Sequence, residues 1–379
     1  MPLAVLVAPN AFKGSLSAAQ AAAAMAAGVT AAAPGAMVHR LPVADGGDGF
    51  LDVLEAPLGA ERRVRRVRGP LGEPVEATWL LAPGMGLAVV ELARASGLAL
   101  VPKNRRDPLA ANTLGAGELV RTALDAGARR ILLGLGGSAT VDGGTGLAAA
   151  LGVRFLDAAG HELEPSGAAL ERVAAIDTSG LDPRLARVTL EAACDVDNPL
   201  TGPRGAARVF APQKGADPGQ VRRLERGLAA LARAVARSCG REVAELPCAG
   251  AAGGTGAVLA GVLGARLRPG AALVLDELGF DAALAGADLV LTGEGALDEQ
   301  TRGGKAPAEV ARRAGAAGVP CIAIAGRVPE PPPELPGLTA AFGLCPPPLA
   351  VDECMAQAER LLRAATERAV HAFLAGRSS

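Results

Sequence analysis

Six segments of the chain set glycine beside acids or lysine. They are Ala8-Pro9-Asn10-Ala11-Phe12-Lys13-Gly14-Ser15-Leu16, Val43-Ala44-Asp45-Gly46-Gly47-Asp48-Gly49, residues 134–144, Cys194–Leu200 running into Pro212-Gln213-Lys214-Gly215, residues 250–256, and Thr292–Asp298 with Gly303-Gly304-Lys305. Where side chains are absent, backbone N–H groups approach a ligand closely, so glycine-rich loops with a lysine reaching in can hold phosphate. Asp45, Asp142, Asp195 and Glu294 in such loops suit Mg²⁺, which takes one or two carboxylates plus phosphate oxygens and waters. Lysine is scarce here: Lys13, Lys103, Lys214 and Lys305 stand against thirty-four arginines, and all but Lys103 adjoin a glycine. A compact ammonium on a flexible stem does work that a broad planar fork does not. Taken singly, each segment is also ordinary turn chemistry. Six of them point to a crevice for phosphate and metal.

These loops need a scaffold, and the flanking sequence supplies one. Short aliphatic runs alternate with Ala-rich stretches of helical character. Strands are predicted over Leu3–Ala8, Met37–Val43, Arg129–Leu135, Val188–Ala193, Ala287–Leu291, Val319–Ala325 and Leu338–Phe342. Helices are predicted over Ser17–Ala33, Gly115–Ala126, Gln220–Ser238, Thr255–Leu263, Pro307–Ala316 and Asp352–Leu374, with Ser17 as the first N-cap. Such alternation marks an α/β chain with parallel sheet, in which ligands bind beyond the carboxyl ends of strands. Between Glu61 and Leu92 three consecutive strands separated by Gly-Pro turns predict an antiparallel insert. Its Arg62-Arg63-Val64-Arg65-Arg66-Val67-Arg68 run reads as a strand with a solvated charged face, an edge device. The Pro-rich Val328–Pro336 reads as a stiff connection between the last two strands.

With 379 residues the chain exceeds the usual single-core limit, so two domains are expected. Mean hydropathy is +0.29, yet no apolar run reaches the length of a membrane span, and the N-terminus reads as a first strand, not a signal peptide. A net charge of -1, 2% aromatics and no Tyr argue against nucleic acid as a partner. Six scattered cysteines suggest neither a disulfide framework nor a zinc knuckle, and a reduced cytoplasm is expected. With only His39, His161 and His371 available, none at metal-ligand spacing, chemistry falls to acids and lysines. One segment invites another reading. Gly134-Leu135-Gly136-Gly137-Ser138-Ala139 fits G-x-G-x-x-A, and Asp157 follows a likely strand Val153–Leu156, so an NAD(P)-dependent dehydrogenase is an alternative.

As an ordered set the motifs resemble the type I glycerate kinases. The resemblance rests on Ala8-Pro9…Phe12-Lys13-Gly14-Ser15-Leu16, Val43-Ala44-Asp45-Gly46-Gly47, Ala95-Ser96-Gly97-Leu98 and Arg106-Asp107-Pro108-Leu109. It continues through Gly137-Ser138-Ala139-Thr140…Asp142-Gly143-Gly144, Ala193-Cys194-Asp195-Val196…Asn198-Pro199-Leu200, Pro212-Gln213-Lys214-Gly215-Ala216, Gly293-Glu294-Gly295…Asp298…Gln300 and Gly304-Lys305. Asn10-Ala11 stands where Asp-Ser is frequent in that family, Val141 where Asn is usual, and Ala296 where Arg is often found.

The resemblance implies two α/β domains: a flavodoxin-like parallel domain from both chain ends (1–65 and 285–379) and a restriction-endonuclease-like mixed-sheet domain (66–284), with the active site in the cleft between them. It implies a cytoplasmic enzyme that phosphorylates (R)-glycerate from ATP with Mg²⁺. The 2-phosphate is the expected product and the 3-phosphate the alternative. Lys13, Asp195, Lys214 and Asp298 are the expected catalytic residues, with Asp195 or Asp298 as general base. Ser15, Arg208 and Lys305 are expected to bind substrate, the Arg208 fork suiting a carboxylate. Nucleotide contacts are expected at Gly137, Ser138, Gly253, Gly254, Thr255 and Glu294, and metal contacts at Asp45, Asp195 and Asp142.

Overall fold

The computed structural model describes residues 2–298, 301, 304–345 and 349–377. The chain forms two units, Met1–Pro57 with Gly270–Ser379, and Leu58–Pro269. Strands are numbered here along the chain. In the first unit β1 (Ala4–Pro9), β2 (Met37–Arg40), β11 (Leu289–Gly293), β12 (Cys321–Ala325) and β13 (Ala340–Gly343) form one sheet, in the order β13-β12-β11-β1-β2 and parallel throughout. Alternation along each strand divides the core between the two faces. Val5, Val7, Leu289 and Leu291 pack with helices Ala18–Ala32 and Ala358–Arg377; Leu6, Ala8 and Val290 pack with helices Gly270–Glu277 and Ala306–Ala316. Ser17 and Gln20 close a capping box on the first helix. Gly28 lets that helix approach the last one, where a Cβ would lie 2.5 Å from the Arg363 carbonyl.

The second unit holds a six-stranded mixed sheet, β10-β9-β6-β5-β4-β3. Here β3 (Glu61–Arg68), β4 (Pro74–Ala82) and β5 (Leu87–Glu91) run antiparallel in sequence, while β5, β6 (Arg130–Gly134), β9 (Thr189–Cys194) and β10 (Arg266–Pro269) are mutually parallel. The arginine-rich β3 is the sheet edge, with Val67 its one buried side chain. Helix Pro218–Cys239 is bounded as its sequence dictates: Asp217 and Gln220 form a capping box, Pro218 opens it, and Gly240 ends it in the left-handed region. Its Leu224, Leu228, Leu231 and Val235 bury one face against Leu170, Phe155 and Val258.

Three expectations differ from the structure. β10 is polar and Pro-ended, which hid it from a search for aliphatic runs. The predicted helix Asp352–Leu374 is two helices, Val351–Ala356 and Ala358–Arg377, parted at Gln357. The strand before Asp157, β7 (Arg154–Leu156), pairs antiparallel with β8 (Ala175–Asp177) in a sheet of its own.

Candidate functional site

In the first unit the carboxyl ends of β1, β2 and β11 bring three motifs together. Phe12 and Leu16 exchange backbone hydrogen bonds (2.9 and 3.0 Å), Phe12 is buried, and Gly14 takes φ +81°. That tight turn leaves Lys13 exposed at its tip. The Ser15 hydroxyl donates to the Phe12 carbonyl at 3.0 Å, so it braces the turn. The Gly295 backbone runs alongside, since a Cβ there would lie 3.5 Å from the Lys13 nitrogen. Beyond β2 the chain stays bonded to β1, through the Val43 N–H on the Pro9 carbonyl, and delivers Asp45 half-buried. The Asn10 side-chain amide donates to Asp45 Oδ2 at 3.2 Å. An amide is thus the neighbour of Asp45, where the resemblance leads to an expectation of a second carboxylate.

Glu294, 6% exposed at the end of β11, accepts from the buried Thr301 hydroxyl at 2.7 Å. Burial pushes its carboxyl up to about 7, against the pull of Thr301 and Lys305; the charges of Asp45 and Asp298 add to the rise. Asp298 is exposed, its Oδ1 accepting from the Thr301 backbone N–H at 3.1 Å, with Lys305 Nζ at 3.9 Å. Asp45, Glu294, Asp298 and Lys305 therefore form one electrostatic group. The motif positions Gln300 and Gly303 lie outside the described residues.

In the second unit the group centres on Lys214, which is 3% exposed. Its ammonium donates to Ser138 Oγ and to the Thr140 carbonyl, both at 2.7 Å. Burial drives its pKa down to about 7, while the charges of Asp142 and Asp195 oppose the fall. The loop that Lys214 holds is itself tied down. Gly137 turns at φ +72°, its carbonyl accepts from Leu98 N–H at 2.8 Å, and Ala139 N–H donates to the Ser96 carbonyl at 2.9 Å. Asp142 is fully buried and accepts four hydrogen bonds, from the Thr113 N–H and hydroxyl, Gly144 N–H and Gly146 N–H. Three of these donors converge on Oδ2 and one, at 3.3 Å, reaches Oδ1, and burial raises the pKa all the same.

Gly253, Gly254 and Thr255 pack into that loop from the other side. Ala252, Gly253 and Gly254 are all left-handed, and a Cβ on Gly253 would sit 2.0 Å from the Thr140 carbonyl oxygen. Thr255 is wholly buried, its hydroxyl donating to the Ala252 carbonyl at 2.8 Å. The close approach these glycines permit is made to protein backbone. Asp195 stands exposed just past β9. Arg208 is turned elsewhere: its Nε lies 3.9 Å from Glu225 Oε1 on helix Pro218–Cys239.

Buried lysine on a glycine loop, with carboxylates at successive strand ends, is the equipment of phosphoryl transfer. The sequence matches the glycerate kinase family over residues 5–374. The chain belongs to the glycerate kinase family. A glycerate kinase of Halalkalibacterium halodurans is 46% identical over 363 residues, 95% of this chain and 96% of the relative. A glycerate 2-kinase of Escherichia coli K12 is 43% identical over 327 residues, 86% of each. A crystal structure described as glycerate kinase 2 from Salmonella typhimurium LT2 superposes with a TM-score of 0.87 at 41% identity over the whole of both chains. It is therefore an enzyme of the kinase class, with the mixed α/β architecture of its family.

The dinucleotide reading of residues 134–139 falls with the topology. The parallel neighbours of β6 are β5 and β9, not the strand before Asp157, and Asp157 accepts from Ala159 and His161 N–H within its own turn. Kinase-family membership and this topology point the same way. Four contributors had no role in the sequence reading, although Thr140 and Arg106 stand in its motifs: Thr301 on Glu294, Thr113 on Asp142, Thr140 under Lys214, and Arg106, whose Nη1 donates to the Gln213 carbonyl at 3.0 Å. Thr113 looks like an ordinary N-cap of helix Leu114–Asp125, but it makes no side-chain cap bond. Among the described residues no helix is long and apolar enough to cross a membrane.

Proposed function

We propose that the protein transfers the γ-phosphoryl group of ATP to the 2-hydroxyl of (R)-glycerate. The hydroxyl oxygen forms the new P–O bond, the bridging bond to the β-phosphate breaks, ADP leaves, and the hydroxyl proton goes to a carboxylate. The observation that carries this reading is Lys214, buried and fixed by Ser138 and the Thr140 carbonyl within a glycine loop. A desolvated ammonium held by neutral partners has charge to give to a phosphate, and phosphoryl transfer needs positioned positive charge more than covalent chemistry.

Both units are proposed to serve the one reaction. Lys13, exposed on its braced turn, is proposed to act on the transferring phosphoryl group, with Ser15 and Lys305 supporting acceptor contacts. Asp195 in the second unit and Asp298 in the first are the two candidates for general base. Among the described residues no three His, Cys, Asp or Glu side chains gather as a cage for a metal. Mg²⁺ bound through nucleotide phosphate needs only one or two carboxylates, and Asp45 in the first unit and Asp195 in the second are each proposed as such a donor. When bound it would neutralise phosphate charge. Asp142, fully buried and bonded to four donors, is assigned to holding the loop. Gly137 and Ser138 are proposed to meet nucleotide phosphate, while Gly253, Gly254 and Thr255 set the position of that loop and Glu294 tunes the opposite group. A cytoplasmic location is proposed because the six scattered cysteines suggest no disulfide framework.

Incubation of the purified protein with ATP, Mg²⁺ and (R)-glycerate, followed by ³¹P NMR, should show ADP and a single phosphomonoester coupled to the C2 proton. A phosphomonoester split by two C3 protons would move the reaction to the 3-hydroxyl, and absence of turnover would refute the reading.

A further inference from the structure

The half-buried guanidinium of Arg106 sits on the turn that carries Lys214. Its Nη1 donates to the Gln213 carbonyl at 3.0 Å, and its backbone presses on Gly215, where a Cβ would meet the Arg106 carbonyl oxygen at 2.9 Å. Gly215 takes φ +99°, so this close contact is a built feature of the turn. Arg106 Nε is buried without an acceptor, and among the described residues no carboxylate lies within ion-pair distance of the guanidinium. Other partly buried arginines are treated differently: Arg94 has Glu91, Arg130 has Glu191, and Arg313 has Glu309, Asp276 and Asp281. The adjacent Asp107 is committed to its own turn through Leu109 N–H. Arg208, the sequence's candidate for an acceptor carboxylate, has Glu225 beside it.

We propose that Arg106 binds the carboxylate of the acceptor, an inference that rests on the kinase reading above. An unpaired guanidinium with an orphaned N–H, reachable from solvent and anchored one residue from Lys214, calls for an anion. Its planar fork matches a planar carboxylate, whereas the compact ammonium of Lys214 suits a phosphoryl group. The carboxylate does not change during transfer, so Arg106 contributes equally to the ground and transition states. Its loss should therefore raise KM and spare kcat.

Arg106→Ala should raise KM for glycerate by about 10- to 150-fold, the range for a hydrogen bond to a charged group, with kcat and KM for ATP within about threefold of wild type. Arg106→Lys keeps a donor for the Gln213 carbonyl but lacks the fork, and should show the same split at about tenfold or more. It decides the matter if the alanine variant does not fold. A rise in KM for ATP would make Arg106 a nucleotide-phosphate ligand and overturn the proposal. So would a fall in kcat with glycerate KM unchanged, the mark of a purely structural role at the turn. A wild-type enzyme that does not phosphorylate glycerate would sink the kinase reading before any variant is made.

Discussion

Lys214 makes the most demanding prediction, because its burial ties stability to pH with a definite sign. The pKa of about 7, against an ordinary 10.5, means that the charged form is disfavoured in the folded protein by roughly 5 kcal/mol. Between about pH 7 and 10.5 the unfolded chain holds this proton while the folded protein has released it. The unfolded state then binds more protons, so stability rises with pH across that window. Below pH 7 both states are protonated and the whole penalty applies. Lys214→Met fills similar volume without titrating, so subtracting its unfolding free energy from that of wild type cancels every other group. From pH 7 to 9 that difference should move in favour of wild type by about 2 kcal/mol, with a limiting slope of about 1.4 kcal/mol per pH step. Chemical denaturation at pH 6, 7, 8 and 9 measures it. Curves that run parallel within about 0.5 kcal/mol would refute the claim that Lys214 is desolvated in the empty enzyme. The kinetic counterpart is a kcat/KM for ATP that declines above about pH 7 while kcat holds, since bound phosphate restores the proton.

Two further predictions follow from the same geometry. Glu294→Gln keeps an acceptor for the Thr301 hydroxyl but cannot ionise; since the wild-type carboxyl is raised to about 7, wild type alone loses stability as pH rises from about 4.5 to 7, and the variant should gain roughly 2 to 3 kcal/mol relative to it between pH 5 and 8 in denaturant titrations. Gly253→Ala forces a Cβ to 2.0 Å from the Thr140 carbonyl at φ +68° and should cost roughly 3 kcal/mol or more, whereas Gly264→Ala, at φ +71° with nothing within 4 Å, should cost about 1 kcal/mol; equal midpoints for the two would show that the Thr140 loop is not tightly held.

The fold was legible where local pattern and tertiary need agree. The strand pairs β3–β4 and β4–β5 were evident from runs parted by Gly-Pro turns, and helix Ala18–Ala32 from its Ser17 cap. Legibility failed where the deciding partner is distant in sequence. Asp142 reads as a metal ligand because a carboxylate in a glycine loop has that chemistry; that it is also buried and bonded through Oδ2 depends on Thr113, 29 residues away. The glycines at 253 and 254 read as a phosphate cradle because such loops permit close approach, and sequence does not say whether ligand or backbone makes it. Arg208 is close to Lys214 in sequence and Arg106 is far from it, and only packing brings Arg106 onto the Lys214 turn while setting Arg208 beside a carboxylate.

The scarcity of lysine acquires a physical reason at position 214. Arginine stays charged in proteins, whereas a lysine can release its proton when buried and regain it when an anion arrives. A side chain 3% exposed, whose hydrogen-bond partners among the described residues are a hydroxyl and a carbonyl, is a place where a permanent guanidinium would carry a burial penalty it cannot shed. An arginine-biased chain therefore keeps lysine there for what it does when the site is empty as much as when it is full. The argument does not extend to all four lysines. Lys13 is exposed at the tip of the Phe12–Leu16 turn, where burial exerts no such selection and reach and small head size are what distinguish it from arginine; Lys103 is exposed within a short helical turn at Lys103–Arg105 and carries no motif at all. Lys214→Arg is then the sharper comparison than Lys214→Met: it keeps the charge and cannot shed it, so in denaturant titrations it should fall progressively below wild type in stability as pH rises above about 7, while Lys13→Arg should leave stability unchanged.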